Sequence, residues 1–175
     1  DQNHAKFLLE EVGWIKRANI KKIYPNTLQI DVIESDPFAI LFKYKDIYLI
    51  DIDGQVISPN PDIRKYSSLL NVRGEKAETQ LSEIIKKINI NFPELRNNLN
   101  ELEFIETRRW NLLLSNNLIV KLPDTRVKES LKNLKKLFDD NQILDSNIIE
   151  VDLRIEGRAI IKVDGEQVRY GLEEI

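Results

Sequence analysis

Cysteine and methionine are both missing from the 175 residues, and histidine occurs once, as His4. Without a thiol there is no disulfide, no thiolate metal site and no cysteine nucleophile. The absence leaves the compartment open, because an exported chain with a large enough core does without disulfides. A lone His beside the first residue argues against a Ser–His triad or a multi-histidine metal site. No apolar run reaches 18 residues, so no membrane-crossing helix lies within the sequence, and no signal-peptide pattern opens it. Gly-rich phosphate loops, a nucleophile elbow and metal-binding motifs are missing as well. Neither sign of charge dominates. With 26 Lys and Arg against 29 Asp and Glu, the net charge of −3 gives no global attraction to nucleic acid or to an anionic membrane surface.

What is present suits a folded chain. Apolar residues make up 42% and charged residues 31%, the balance of a globular protein of one domain or two small ones. An apolar helix is expected over residues 5–12, with Phe7, Leu8, Leu9 and Val12 as its stripe and Gly13 as its terminator. Two alternating runs follow, 18–23 and 28–34, joined by Tyr24-Pro25-Asn26. This pattern predicts a hairpin with Leu28, Ile30 and Val32 on one face. Helix plus hairpin is too little to be stable alone, and the chain begins with Asp rather than Met, so a missing element in front is expected. Ser35-Asp36-Pro37 breaks the pattern and marks the expected boundary between a unit of residues 1–35 and a larger unit of residues 36–175.

Short strands are expected in the larger unit at 38–44, 46–52, 55–57 and 69–72, with a turn at Asp53-Gly54 and a rigid loop over 58–61. Helical spacing places an amphipathic helix over 75–88 and a short one over 92–99. Strands are expected from 102–107, through Trp110, Leu112 and Leu114, and back through Leu118, Val120 and Leu122 after Asn116-Asn117. Asp124 reads as the N-cap of a helix over 125–138. Strands at 149–155 and 158–163 follow, and Asp164-Gly165 can turn the chain once more into 167–172. The class is α+β: a small αββ unit, then mixed, mainly antiparallel strands with packed helices.

Candidate chemistry is thin. Asp51 and Asp53 share one face of a strand, a geometry that can hold Mg²⁺ or act as acid and base. Neither a third carboxylate nor a basic phosphate clamp accompanies them, so they read better as turn and solvent residues. Glu150 and Asp152 read the same way. Lys128, Lys132, Lys135 and Lys136 form an outward helix face that reads as solvated. Lys16, Arg17, Lys21 and Lys22 on the first hairpin suggest an anionic partner more strongly, but they lack the aromatics that stack on bases. Trp14 and Trp110 read as core anchors. The feature with most promise is a strand edge. Residues 158–163 near the end of the chain can take a partner strand by β-augmentation, unless residues 167–172 already cover them.

These pieces, in order, resemble the extracytoplasmic part of the FtsQ/DivIB bacterial cell-division family. The resemblance rests on WIKRANIKKIYPNTLQIDVIESDPFAIL at 14–41, in which Trp14-Ile15, Ala18, Tyr24-Pro25 and Glu34–Pro37 match the family's pattern. It continues through IYLIDIDGQVI at 47–57, the strand end at 69–74, RRWNLLLSNNLIVKL at 108–122 and VDLRIEG at 151–157. It implies a single-pass inner-membrane protein, anchored by a transmembrane helix upstream, with an extracytoplasmic POTRA domain and a β domain at the division site. Such a protein is a non-catalytic divisome scaffold with no cofactor and no nucleic-acid partner. On this resemblance residues 1–35 are a partial POTRA domain and 36–175 the β domain. An FtsB/FtsL-type partner would meet Arg154, Ile155, Gly157, Ala159, Ile160, Ile161 and Lys162. Other divisome members would meet Arg17, Ile20, Lys22 and Glu34. The chain departs from the family in lacking the first POTRA strand and helix, in placing Lys162 where some members have an aromatic, and in continuing past the usual last strand into 167–175. Two other readings stand beside it: a POTRA-bearing module of an export or outer-membrane assembly machine, and a carboxylate-dependent hydrolase using Asp51 and Asp53.

Overall fold

A computed structural model describes residues 1–140, 147–163 and 166–171, the last six by their backbone alone. The chain divides into two compact units, Asp1–Leu69 and Leu70–Ile175, so the first unit reaches beyond the connector at Ser35-Asp36-Pro37.

In the first unit, α1 (Gln2–Glu10) starts earlier than the apolar stripe suggested, because the Asp1 carboxylate accepts from Asn3 N at 3.1 Å and supplies the cap. Gly13 does not terminate it. The helix ends at Glu11 in right-handed geometry, and its amide donates to Leu9 O and Phe7 O. Strands β1 (Ile15–Ile23) and β2 (Thr27–Glu34) pair antiparallel, with Ile20 opposite Ile30 and Lys22 opposite Leu28. Helix α1 lies along β1, where Ala18 is buried and its amide donates to Glu10 Oε1 at 2.9 Å. Every residue of β2 is exposed, including Leu28, Ile30, Val32 and Ile33.

The rest of the unit is an antiparallel trio: β3 (Ala39–Lys43), β4 (Asp46–Ile50) and β5 (Val56–Pro59). Strand β4 stops two residues short of the expected end because Asp51 leaves the ladder to build the following turn. Ser58 and Pro59, expected in a rigid loop, belong to β5, paired through Leu49–Ser58 and Tyr48–Pro59. Ile40, Leu49 and Ile57 form the buried centre, with Phe42, Ile47, Tyr66 and Leu69 packed on it.

The second unit contains β6 (Leu70–Arg73), α2 (Ala77–Asn91), β7 (Leu99–Ile105), β8 (Arg109–Leu114), β9 (Ile119–Lys121), α3 (Val127–Asp139), β10 (Ile148–Asp152), β11 (Arg158–Val163) and β12 (Glu166–Gly171), with neighbours in that order in the sheet. The short helix expected over 92–99 is a 3₁₀ turn, Pro93–Asn98. Two pairs are parallel, β6 with β7 and β9 with β10, and the others are antiparallel. A parallel pair needs a crossover, and α2 and α3 supply one each. The two helices touch, so both crossovers run over one face of the sheet. Alternation sends Leu102, Phe104, Trp110, Leu112, Leu114, Val120, Val151, Ala159 and Ile161 inward. Leu81, Ile84, Ile85 and Ile88 of α2, and Val127, Leu131, Leu134 and Leu137 of α3, are buried.

Asp124 is not the N-cap of α3. Its Oδ1 accepts from Thr125 N at 2.9 Å, while the helix enters through Arg126 in left-handed geometry with no side-chain cap. Helix α2 enters in the same way through Lys76, which moves its start past Glu75. The expected turn at Asp164-Gly165 and Leu172 lie outside the described residues.

Candidate functional site

The end of the second unit is assembled from three strands and one tight loop. Strand β10 runs parallel to β9, with Val151 opposite Val120, and antiparallel to β11, with Val151 opposite Ile161. Between β10 and β11 the chain turns at Asp152–Gly157. Asp152 is 8% exposed. Its Oδ1 accepts from Arg154 N at 3.0 Å, and its two oxygens take the Arg154 guanidinium at 2.6–3.0 Å. Burial works against the charged carboxylate, but the hydrogen bonds from Arg154, with the charges of Arg154 and Lys121, hold its pKa below the ordinary value. Arg154 is held above its own ordinary value by the same contact. Glu156 pairs with Arg126 at 2.7 Å, and Gly157 makes the turn at φ +65°.

Strand β11 is not the edge. Strand β12 pairs with it along its whole length, from Arg158 opposite Gly171 to Val163 opposite Glu166. Of the two possibilities left by the sequence, the covered one holds, and the outermost strand at this end is β12. The seven expected contact residues gather here with different surroundings. Ala159 and Ile161 are buried, Ile160 is half-buried, and Lys162 is exposed on the opposite face. Ile155 is exposed, while Arg154 is committed to Asp152. The sequence leaves open whether β11 or the strand after it forms the edge, and the pairing assigns it to β12. The signal for β12 is present in the strand expected over 167–172, but period and turn residues do not say which strand is outermost.

The expected surface on the first hairpin is also assembled by one sheet. Ile20 and Lys22 of β1 share a face with Glu34 of β2, and Arg17, opposite Ile33, lies on the other face. Lys16 is not available to an anionic partner. Its ammonium donates to Asp53 Oδ2 at 2.9 Å and to Asp51 Oδ2 at 3.3 Å. Hydrogen bonds to Asp53 and then Asp51 raise its pKa.

The same contacts dispose of the carboxylate pair as an acid–base device. Asp51 is 2% exposed, and its Oδ1 accepts from Asp53 N and Gln55 N, each at 2.9 Å. It builds the β4–β5 turn and anchors Lys16. Cavities of about 310 and 330 Å³ lie elsewhere, beside Trp110 and between Phe92 and Phe138. Glu150 pairs with Lys121 at 2.8 Å, and no group of three potential metal ligands occurs among the described residues.

Asp51 and Asp152, read as solvent residues, are buried, and Trp14 and Lys135 also depart from their expected surroundings. Trp110 is buried and packs on Phe104 with ring centroids 4.6 Å apart, as a core anchor does. Trp14 is 42% exposed. On α3, Lys128, Lys132 and Lys136 are exposed, but Lys135 is half-buried, bridging Asp139 and Glu94 above the Phe92 ring.

Known proteins similar to this chain fall in one family. The family described as "Cell division protein FtsQ/DivIB, C-terminal" matches residues 39–154. "Cell division protein FtsQ" of Rhizobium meliloti is 32% identical over 169 residues, covering 97% of this chain and 54% of the relative. The protein of the same name from Rhizobium radiobacter is 31% identical over 163 residues, covering 93% of this chain and 77% of the relative. The chain thus spans about half the length of the first and about three quarters of the second. Among solved structures, the major extracytoplasmic domain of the trans isomer of the cell-division protein DivIB from Geobacillus stearothermophilus aligns with 63% of this chain and 98% of that one. Its identity is 11% and its TM-score 0.40.

Proposed function

Because the chain belongs to the FtsQ/DivIB family of bacterial cell-division proteins, we propose that it is a non-enzymatic divisome scaffold that captures an FtsB/FtsL-type partner by strand addition. In this reading residues 1–35 are the rear part of a POTRA domain and 36–175 the β domain. The protein is held in the inner membrane by a single span, with these residues on its extracytoplasmic side at the division site. No helix among the described residues is long and apolar enough to cross a membrane.

The observation that carries the reading is the outer side of β12, the last strand of a mixed sheet. An outermost strand leaves every second amide and carbonyl unpaired. A partner strand satisfies them by extending the ladder, and its side chains then fall on both faces. Strand β11 works one position further in. Ala159 and Ile161 seat it in the core, and its ladder fixes the register of β12. Lys162, exposed on β11, lies one strand in from the added strand, and Ile155 is exposed beside the Asp152–Arg154 loop. Ile20, Lys22 and Glu34 on one face of the hairpin, with Arg17 on the other, are the residues offered to other divisome members.

Successive amides of a strand point to opposite sides, so proline at Gln167 and proline at Val168 have different consequences. One breaks the ladder to β11, and the other removes only an outward donor. The variant whose thermal unfolding matches wild type is expected to lose about 100-fold in affinity for an extended FtsB-type peptide, as a lost bond plus a ring clash of roughly 3 kcal/mol implies. Calorimetric titration checks it. Unchanged affinity in that variant would remove strand addition at β12.

A further inference from the structure

The connector Ser35-Asp36-Pro37 is the kind of short, Pro-containing link at which two parts of a chain ordinarily hinge. In the first unit two contacts span it, and Ser35 itself is pinned to the chain that enters β1. Ser35 Oγ donates to Gly13 O at 2.8 Å, and Ser35 N donates to Trp14 O at 2.9 Å, closing the base of the hairpin. The Lys16 ammonium reaches from β1 to both carboxylates of the β4–β5 turn, and one of these, Asp51, is buried and already fixed by two backbone amides. Gly13 lies so close to β5 that a Cβ there would stand 2.2 Å from Ile57 O and 2.8 Å from Val56 O. At the far end Ala18 is tied to α1 through Glu10.

We propose that Gly13, Lys16 and Ser35 form a locked joint that fixes the α1–β1–β2 element in one orientation on the β3–β4–β5 trio, making the first unit a single rigid body instead of two parts on a hinge. Each tie supplies something the others do not. Gly13 permits the close approach of the two backbones. Lys16 spans the gap with charge, and the position of Asp51 turns that charge into a directional contact. Ser35 holds the connector against the chain that enters β1. A force or a partner acting on the hairpin is then transmitted to the sheet and is not absorbed at the connector. This joint does not depend on which partner β12 receives.

The chain has no cysteine, so labels can be placed at chosen points. Asn26→Cys and Lys45→Cys put one nitroxide at the β1–β2 turn and one at the β3–β4 turn, both exposed. Double electron–electron resonance on this otherwise unaltered chain is expected to give one narrow distance distribution. Adding Gly13→Ala is expected to broaden it and shift its centre. Should that variant fail to fold, Lys16→Gln removes the charged tie at a half-exposed residue and is expected to broaden the distribution without shifting it. A broad distribution in the parent, or a narrow and unmoved one in Lys16→Gln, would overturn the joint.

Discussion

Gly74→Ala is expected to destabilise the protein by about 3–4 kcal/mol, lowering its melting temperature by roughly 10 °C. Two costs combine at this position. The backbone sits at φ +110°, where a side chain is strained. A Cβ would also stand 2.2 Å from Phe104 O and 3.0 Å from Phe104 Cβ. The obstacle is backbone of the neighbouring β7, held in the ladder by Phe104 opposite Trp110, so it cannot step aside as a flexible side chain would. Gly157→Ala is the control. It shares a positive φ, +65°, but nothing lies within 4 Å of its Cβ, so only the conformational cost remains, about 1 kcal/mol. Urea unfolding of the two variants sets the combined cost of clash and φ +110° at Gly74 against the milder left-handed cost at Gly157 alone. Equal losses in both would show that neither the approach to β7 nor the φ of +110° carries energy beyond the left-handed cost.

Gly74 also illustrates what the sequence could and could not reveal. As the end of a short strand it was readable, because Gly after an apolar run is a turn signal. Its reason was not, since that lies in β7, some thirty residues on. The same division runs through the fold. Amphipathic spacing found α2 and α3, and alternation found β7, β8 and β11, because those periods are set by local geometry and one buried face. Helix starts were misplaced where Lys76 and Arg126 take left-handed geometry, a conformation that no local rule assigns to Lys or Arg. The parallel pairing of β6 with β7 and β9 with β10 depends on crossovers and escaped the pattern. The candidate edge suffered in the same way. Residues 167–172 read as a strand, but which of two adjacent strands is outermost is a property of pairing. Lys16 was read by its charge alone, because the sequence does not bring it to Asp51, 35 residues away.

Asp152→Asn is expected to cost about 2–3 kcal/mol at neutral pH, the lower range for breaking a buried charged contact because the Arg154 side chain stays partly in solvent. The substitution keeps the shape of the side chain and one carbonyl acceptor for Arg154 N, but removes the charge that takes the guanidinium at two oxygens. The pH dependence gives the sharper test. Asp152 is held below its ordinary value in the folded chain, so the unfolded state takes up its proton first as pH falls. The contribution is therefore complete above the unfolded value, near about 4, and disappears as pH drops through the lower folded value. The gap between wild type and Asp152→Asn is expected to stay level from neutral pH to about pH 5 and to close progressively below about pH 4. Urea unfolding at a series of pH values measures it. A gap that widens in acid would mean that Asp152 is not the charged partner of Arg154. The Asp152–Arg154 loop leads into β11, whose ladder pairs with β12, so under the proposal of strand addition at β12 the variant is also expected to weaken binding of an extended FtsB-type peptide at a temperature where the chain remains folded. Loss of the strand-adding partner without loss of fold would tie the loop to the edge, and unchanged affinity would leave Asp152 a residue of stability alone.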